Sequence, residues 1–395
     1  MVAKIFKCVV ILLIAIAFLV YWGIRAVLGG LPGTGGGYSV NKHSSTRNST
    51  WSYTLKDPQQ IERENLQKMN QLQVNVEFIC KYEDKPALSP ETQLIYNYTL
   101  YHDLHNIRSA PKDAPIWEDL ARYYRIAAMN GDYEANIRLQ YLIKSERIPS
   151  DIVKSERYRL NQVLAKQLPA TAYYKTFGIL DVGYGKKTTK DGMYGYLRKS
   201  ADWGSRDAQY EASEILEEIN DQKTLQIRSN VINKLRTCAA EQGLGKALNF
   251  VGIHLQSKRN YEEAIKVFQQ GIKNGNATSA RYLANAFNGL QKENSRYFLN
   301  LSEDLERTRR YKIIGDYLYY KDYLQPKVPD LDDIVPLPPA PLPKWDGKIA
   351  FQRWFEGEAP PKPDEALVRR LAWQAGLNGD TGLDEKTGMP KKPTK

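Results

Sequence analysis

An all-α solenoid of stacked antiparallel helix pairs is the fold this sequence predicts, on the strength of a recurring turn and a recurring buried stripe. The turn shows in three segments: AAMNGDYEANIRLQYLI from Ala127, SADWGSRDAQYEASEIL from Ser200 and AAEQGLGKALNFVGIHL from Ala239. All fit [AS]-A-x-x-G-x-x-x-A, with glycine at Gly131, Gly204 and Gly243. Such a spacing describes a helix ending in small residues, a glycine in a left-handed turn, and a second helix opening on a small residue.

The stripe follows from the alanine after the turn. It recurs at Ala135, Ala172, Ala208, Ala247 and Ala280, separated by 37, 36, 39 and 33 residues. Four positions on stand Leu139, Thr176, Ala212, Val251 and Ala284; seven positions on stand Leu142, Ile179, Ile215, His254 and Phe287. Positions 0, +4 and +7 share one helix face. The helix before the turn has its own stripe, as in Trp117, Leu120, Ala121, Tyr124 and Ala128, or Tyr261, Ala264, Ile265 and Phe268. Five helix pairs at a near-constant period mean a repeat stack. The second and fifth copies are imperfect: Leu168 stands in place of the turn glycine, and Gly275 lies five residues before Ala280 rather than four.

Around this core the chain divides into a cytoplasmic N-terminus and anchor (1–28), a linker (29–50), an N-terminal helical region (51–115), the repeats (116–290), and a C-terminal helix, proline-rich strap and tail (291–395). Cys8–Ile24 runs without a charge after Lys4 and Lys7. At helical rise its length is roughly 26 Å, close to the bilayer hydrocarbon. Tyr21, Trp22 and Arg25 suit the interface. The charge order places the N-terminus in the cytoplasm and the body in the periplasm, as a single-pass inner-membrane protein. A cleaved signal peptide has the same charge order and is the rival. Cys8 precedes the apolar run and so is not a lipoprotein cysteine. Leu28–Ser39 is flexible by composition, and its glycines lack the strand and helix of a nucleotide-binding fingerprint.

With 42% apolar residues the 395-residue chain can bury a sizeable core. Its 26 Tyr against 10 Phe fit helix seams and half-wet interfaces. The net charge is +11, and +8 with Lys4, Lys7 and Arg25 set aside. That charge favours an acidic protein or anionic lipid over nucleic acid, given the compartment, or is simply solvated. Cys80 and Cys238 either pair in an oxidising compartment or are two small buried residues.

Towards the C-terminus, Arg307–Tyr323 reads as a further helix. Lys327–Gly347 follows, with prolines at 336, 338, 339, 341 and 343 that exclude helix and central strand. It is expected to lie across the stack as a strap with Trp345 as its pin; a docking motif for a partner is the other reading.

The turn pattern resembles the Sel-one-like repeat, a bacterial relative of the tetratricopeptide repeat, over about Trp117–Phe287. Phe177–Tyr210 looks like its long form. RYYRIAAMNGDYEANIRLQYL, CAAEQGLGKALNFVGIHL, VPDLDDIVPLPPAPLPKWDG and TGLDEKTGMP together resemble a bacterial family that combines such repeats with a proline-rich terminal block. Members are often encoded beside antibacterial effectors of type VI secretion systems, including lipases. The resemblance implies stacked helix pairs and a protein-binding immunity role, with an effector toxin as partner.

No catalytic, cofactor-binding or metal-ligating residue is assigned. His102 and His105 are three apart, but with no third ligand nearby they read as a surface pair. His254 falls on the +7 stripe and reads as a core histidine. Gly183–Thr189 (GYGKKTT) lacks the first glycine and the Ser/Thr of a phosphate loop. Glu217-Glu218 and Asp332-Asp333 read as ordinary charges, and no G-x-S-x-G elbow occurs. The sequence therefore predicts a non-enzymatic protein binder, with an envelope scaffold as the alternative and an enzyme hidden in Tyr38–Pro115 as the least supported. It names no cofactor, small-molecule substrate or partner-contacting residue.

Overall fold

The computed structural model describes residues 57–148, 153–181, 192–289 and 292–391. The expected membrane anchor and linker, and the GYGKKTT loop, lie outside the described residues. Among the described residues no helix is long and apolar enough to cross a membrane.

Sixteen helices are described. Helices α1 (Pro58–Gln71) and α2 (Pro90–Asn106) precede the repeats. Five pairs follow: α3 (Ile116–Met129) with α4 (Tyr133–Lys144), α5 (Val153–Leu164) with α6 (Pro169–Asp181), α7 (Gly192–Asp202) with α8 (Arg206–Glu217), α9 (Leu225–Glu241) with α10 (Gly245–Ser257), and α11 (Tyr261–Lys273) with α12 (Ala277–Ala286). From α2 onward each helix packs on the next in sequence, and α13 (Leu305–Tyr320) closes the stack on α12. The all-α solenoid is as the repeat spacing predicts.

Gly131, Gly204, Gly243 and Gly275 all have positive φ, between 74 and 104°. In each turn the glycine N–H and the next N–H bond back to the closing carbonyls, as from Gly204 to Ala201 and from Ser205 to Ser200. In three of the four the following residue caps the second helix: Asp132, Ser205 and Asn276 accept from Ala135, Ala208 and Ser279. The copy without glycine closes differently. Leu168 bonds to Leu164, and Pro169 opens α6 where a missing N–H costs nothing.

The stripe alanines are all buried, Ala135, Ala208, Ala247 and Ala280 completely. This lets second helices approach their neighbours closely. The stripe is weaker at its edges, where Thr176, Ile215, Val251 and His254 are only half-buried. His254 is thus not a core histidine. Its ring lies parallel to that of Phe250, centroids 6.4 Å apart, at the surface of α10.

Between α1 and α2 the chain turns over residues 72–76 and then runs outside helix and strand over residues 77–89, rather than as continuous helix. It crosses the middle of the stack, burying Leu72, Val74 and Phe78 against α6–α9. Outside a sheet its carbonyls need other donors. The Arg198 guanidinium supplies them at 2.8 Å to Leu72 and 2.9 Å to Gln73, and Gln209 reaches Lys81. At Gly204 the segment passes so close that a Cβ would stand 2.5 Å from the Tyr82 and Glu83 backbone. Cys80 and Cys238 are joined by a disulfide, fixing the segment to α9. Tyr82 donates to Glu241 at 2.6 Å beside it.

After α13 come a short 3-10 turn, Asp322–Leu324, and α14 (Leu331–Ile334). Residues 335–349 then run outside helix, with a turn at Pro338 and Pro339. Val328, Leu331, Ile334 and Val335 are buried against α11–α13, and Val328 N–H donates to Lys273. The strap prediction holds, but the pin differs. Trp345 is only half-buried, while Arg307 donates to Pro336 and Ala340 and Arg310 to Ile334. Prolines lack N–H groups, so the segment presents chiefly carbonyls, and two arginines of α13 hold it by them.

The chain then returns to the first repeat. Helix α15 (Ala350–Glu356) docks on α2, and α16 (Glu365–Gln374) packs on α3 with Val368, Leu371 and Ala372 in the core around Trp117 and Tyr124. Arg122 reaches the Gly379 carbonyl, Arg125 that of Thr381, and Arg159 that of Pro390. The last segment of the chain therefore covers the first helix pair.

Candidate interaction surface

Helices α4, α6, α8 and α10, the second members of four successive pairs, share a face dense in half-buried polar and aromatic side chains. Its elements touch electrostatically in sequence: Tyr96 of α2 with Glu134, Lys175 with Lys144 and Asp207, Tyr174 with Asp207 and Glu211, and Glu211 with Lys246. Each of Tyr96, Tyr174, Lys175, Tyr210 and Glu211 keeps some exposure. Yet all are desolvated: burial raises the three tyrosines, raises Glu211 with help from Glu214, and lowers Lys175. These side chains are thus partly desolvated yet still reached by water.

Beneath this face the structure is rigid. Arg138 grips Asp103 at 2.6 and 2.8 Å, Tyr124 donates to the same carboxylate at 2.8 Å, and all three are buried. Arg236 of α9 pairs with Glu214 and Glu217 of α8 and lies 4.2 Å from the Phe250 ring centroid. The face is thus an array of aromatic and charged groups on fixed helices, the composition that interfaces favour.

The residues singled out in the sequence lie elsewhere or serve structure. His105 is sandwiched between Tyr101 and Phe355, ring centroids 4.1 and 4.0 Å away. Its nitrogens lie 2.7 and 2.9 Å from the Tyr101 and Phe355 carbonyls, so it is a docking residue for α15 rather than one of a surface pair. His102 packs against Tyr98 and is lowered by burial and by His105. Among the described residues, the metal-type ligands that converge are Cys80, Cys238 and Glu241, and the disulfide occupies both sulfurs. Glu217 belongs to the Arg236 pair, and Asp332 accepts from Lys273 and Gln269. A cleft of about 320 Å³ between α13 and the strap is lined by Ile313, Tyr317, Tyr320, Trp345 and Ile349, among others. Tyr317 there is pushed up to about 12 by burial and by Glu356.

Sequence reasoning missed the second-helix face because its residues have no common type; only their alternation with the buried stripe marks it.

Residues 279–390 match a protein-family model, described as Domain of unknown function (DUF6396). That span runs from α12 through the strap to the tail. No curated protein matches the chain. Among solved structures, the chain is similar to the immunity protein PA5088 from Pseudomonas aeruginosa at 20% identity and TM-score 0.49, covering 67% of this chain and 95% of that one. It is similar to immunity protein Pa5087 from the same organism at 20% identity and TM-score 0.46, covering 67% and 96%. A Sel1 repeat protein from Oxalobacter formigenes is similar at 17% identity and TM-score 0.39, covering 57% and 86%.

Proposed function

We propose that this protein is a non-enzymatic, membrane-anchored immunity protein that binds and neutralises an antibacterial effector through the face of α4, α6, α8 and α10. The observation that carries the binding role is that face, where aromatic and charged groups stay accessible on rigidly paired helices. The narrower immunity reading follows the resemblance to repeat proteins encoded beside type VI effectors, lipases among them. Two of the similar Pseudomonas structures are immunity proteins by name, and that role is brought to this chain here as part of the proposal. The Cys80–Cys238 disulfide supports an oxidising compartment such as the periplasm. Tethering the body there would concentrate it where a membrane-attacking toxin acts.

The test is co-expression with the product of the neighbouring gene in its native arrangement, followed by purification and a toxicity assay. A stoichiometric complex and loss of toxicity are expected. Clean purification without the neighbour, together with capture of housekeeping envelope proteins, would replace immunity by the scaffold reading.

A further inference from the structure

Most half-buried and buried arginines among the described residues find a carboxylate or a backbone carbonyl, as Arg228 and Arg206 do with Leu216 and Gln242. Arg125 grips Glu156, Arg138 grips Asp103, Arg236 pairs with Glu214 and Glu217, and Arg310 with Glu306. Arg157 on α5 departs from this pattern. It is half-buried, its Nε is sealed from solvent, and that Nε–H has no hydrogen-bond partner. Two described acids close by in sequence are engaged elsewhere, Glu156 by Arg125 and Glu146 by Lys112.

Two lysines join it. Lys175 on α6 is half-buried and lies within electrostatic reach of both Arg157 and Lys144, the last residue of α4. None of the three belongs to any of the molecule's ion pairs among the described residues. Asp207 is the acidic group that faces Lys175, and against three cations it leaves a net positive site. Burial lowers both Lys175 and Arg157, with the mutual repulsion of Lys144, Arg157 and Lys175 adding to it at Lys175. Three cations on successive helices, two of them partly desolvated, are held together at a cost that an incoming anion would relieve.

We infer that Lys144, Arg157 and Lys175 form an anion-recognition site that takes an acidic segment of the protein partner. This rests on the binding role proposed above. The charge selects carboxylate or phosphate chemistry, and the setting selects a peptide. Tyr174, half-buried and next to Lys175 on α6, offers a ring that would pack a chain and not a small hydrated ion.

The experiment uses the full chain at constant ionic strength, with fluorescence anisotropy of a labelled hexaglutamate peptide competed by inorganic phosphate. Lys175→Met, Arg157→Met and the exposed Lys144→Met are compared with Lys266→Met, a lysine paired with Glu262 elsewhere on the surface. Each cluster variant is expected to weaken the peptide about tenfold, as loss of one charge-assisted contact does. Melting temperatures should be unchanged or raised, because repulsion is removed, and Lys266→Met should be neutral. A lowered melting temperature in all three cluster variants would make them structural and overturn the site. So would wild-type protein that does not bind the peptide, or binding indifferent to the variants. Phosphate displacing the peptide at equal concentration would overturn the peptide occupant in favour of a small-anion site. If hexaglutamate binds as expected but no neighbour complex forms, the site stands and the immunity reading falls. A neighbour complex insensitive to all three variants would instead remove the site from the interface.

Discussion

The segment over residues 72–89 and the proline-rich segment over residues 335–349 both cross the helix stack without a sheet to receive them. Both solve the orphan-carbonyl problem alike, with buried arginines: Arg198 for the first, Arg307 and Arg310 for the second. They differ in how the entropy of fixing such a segment is offset. The first buries Leu72, Val74 and Phe78 and is crosslinked by a disulfide spanning 158 residues. The second has five prolines that restrict the chain before it folds. Crosslink and proline act on the same term, the freedom of the unfolded chain, one through a long loop and the other residue by residue.

Breaking the covalent half of that comparison should have the largest effect. The Cys80→Ser, Cys238→Ser double variant is expected to lose about 2–5 kcal/mol of stability, read by denaturant titration. A loss below about 1 kcal/mol would mean that the apolar anchors alone hold the first segment.

The close approach comes next. Gly204→Val adds atoms where a Cβ already stands 2.5 Å from backbone, at a φ of +104°, and should cost about 3 kcal/mol. Gly347 has a similar φ, +89°, but nothing within 4 Å, so Gly347→Ala should cost only about 1 kcal/mol. Equal melting temperatures for the two variants would remove the distinction between a packed crossing and a free turn.

Arg307→Met withdraws the donors to Pro336 and Ala340, at an expected cost of about 2 kcal/mol. Limited proteolysis should then cut within residues 336–348 while sparing 72–89. Cleavage spread evenly over both segments would show that the arginine serves the whole stack.

The smallest effect concerns acid. Glu306 orients Arg310, and hydrogen bonds from Arg309 and Arg310 hold its carboxyl down at about 2 against an ordinary 4.5. Its contribution is fully present above pH 4.5 and is lost as the pH falls toward 2. Because the side chain is 42% exposed, solvent screening reduces it to a few tenths of a kcal/mol. Glu306→Gln should flatten the stability profile by that amount in that window; an unchanged profile would assign the acid sensitivity to other carboxylates.

The repeat stack was legible in the sequence because its period is short and its signals are local. The glycine at a positive φ, the cap beside it and the small residue four positions on are all encoded within a dozen residues. Where the local signal was absent, the reading thinned: Leu168 hid a turn, and His254 took a stripe position without its burial. The crossing at residues 72–89 carried no pattern, since a single pass has no period to detect. The return of α15 and α16 to the first repeat was equally hidden, as it joins His105 to Phe355 and Arg122 to Gly379 across some 250 residues. Of the candidate interaction surface, the sequence offered only the helices that carry it. Which charges lack partners is a tertiary fact.

Docking the chain's last segment on its first helix pair changes what kind of object the array is. An open stack of repeats behaves as a soft spring that frays from either end, and its curvature yields to whatever it grips. With the opening pair held by α16 and the arginine contacts to Gly379, Thr381 and Pro390, that end cannot peel away without first shedding the tail. That end of the stack is accordingly preset, and a partner that meets it gives up little to reshaping.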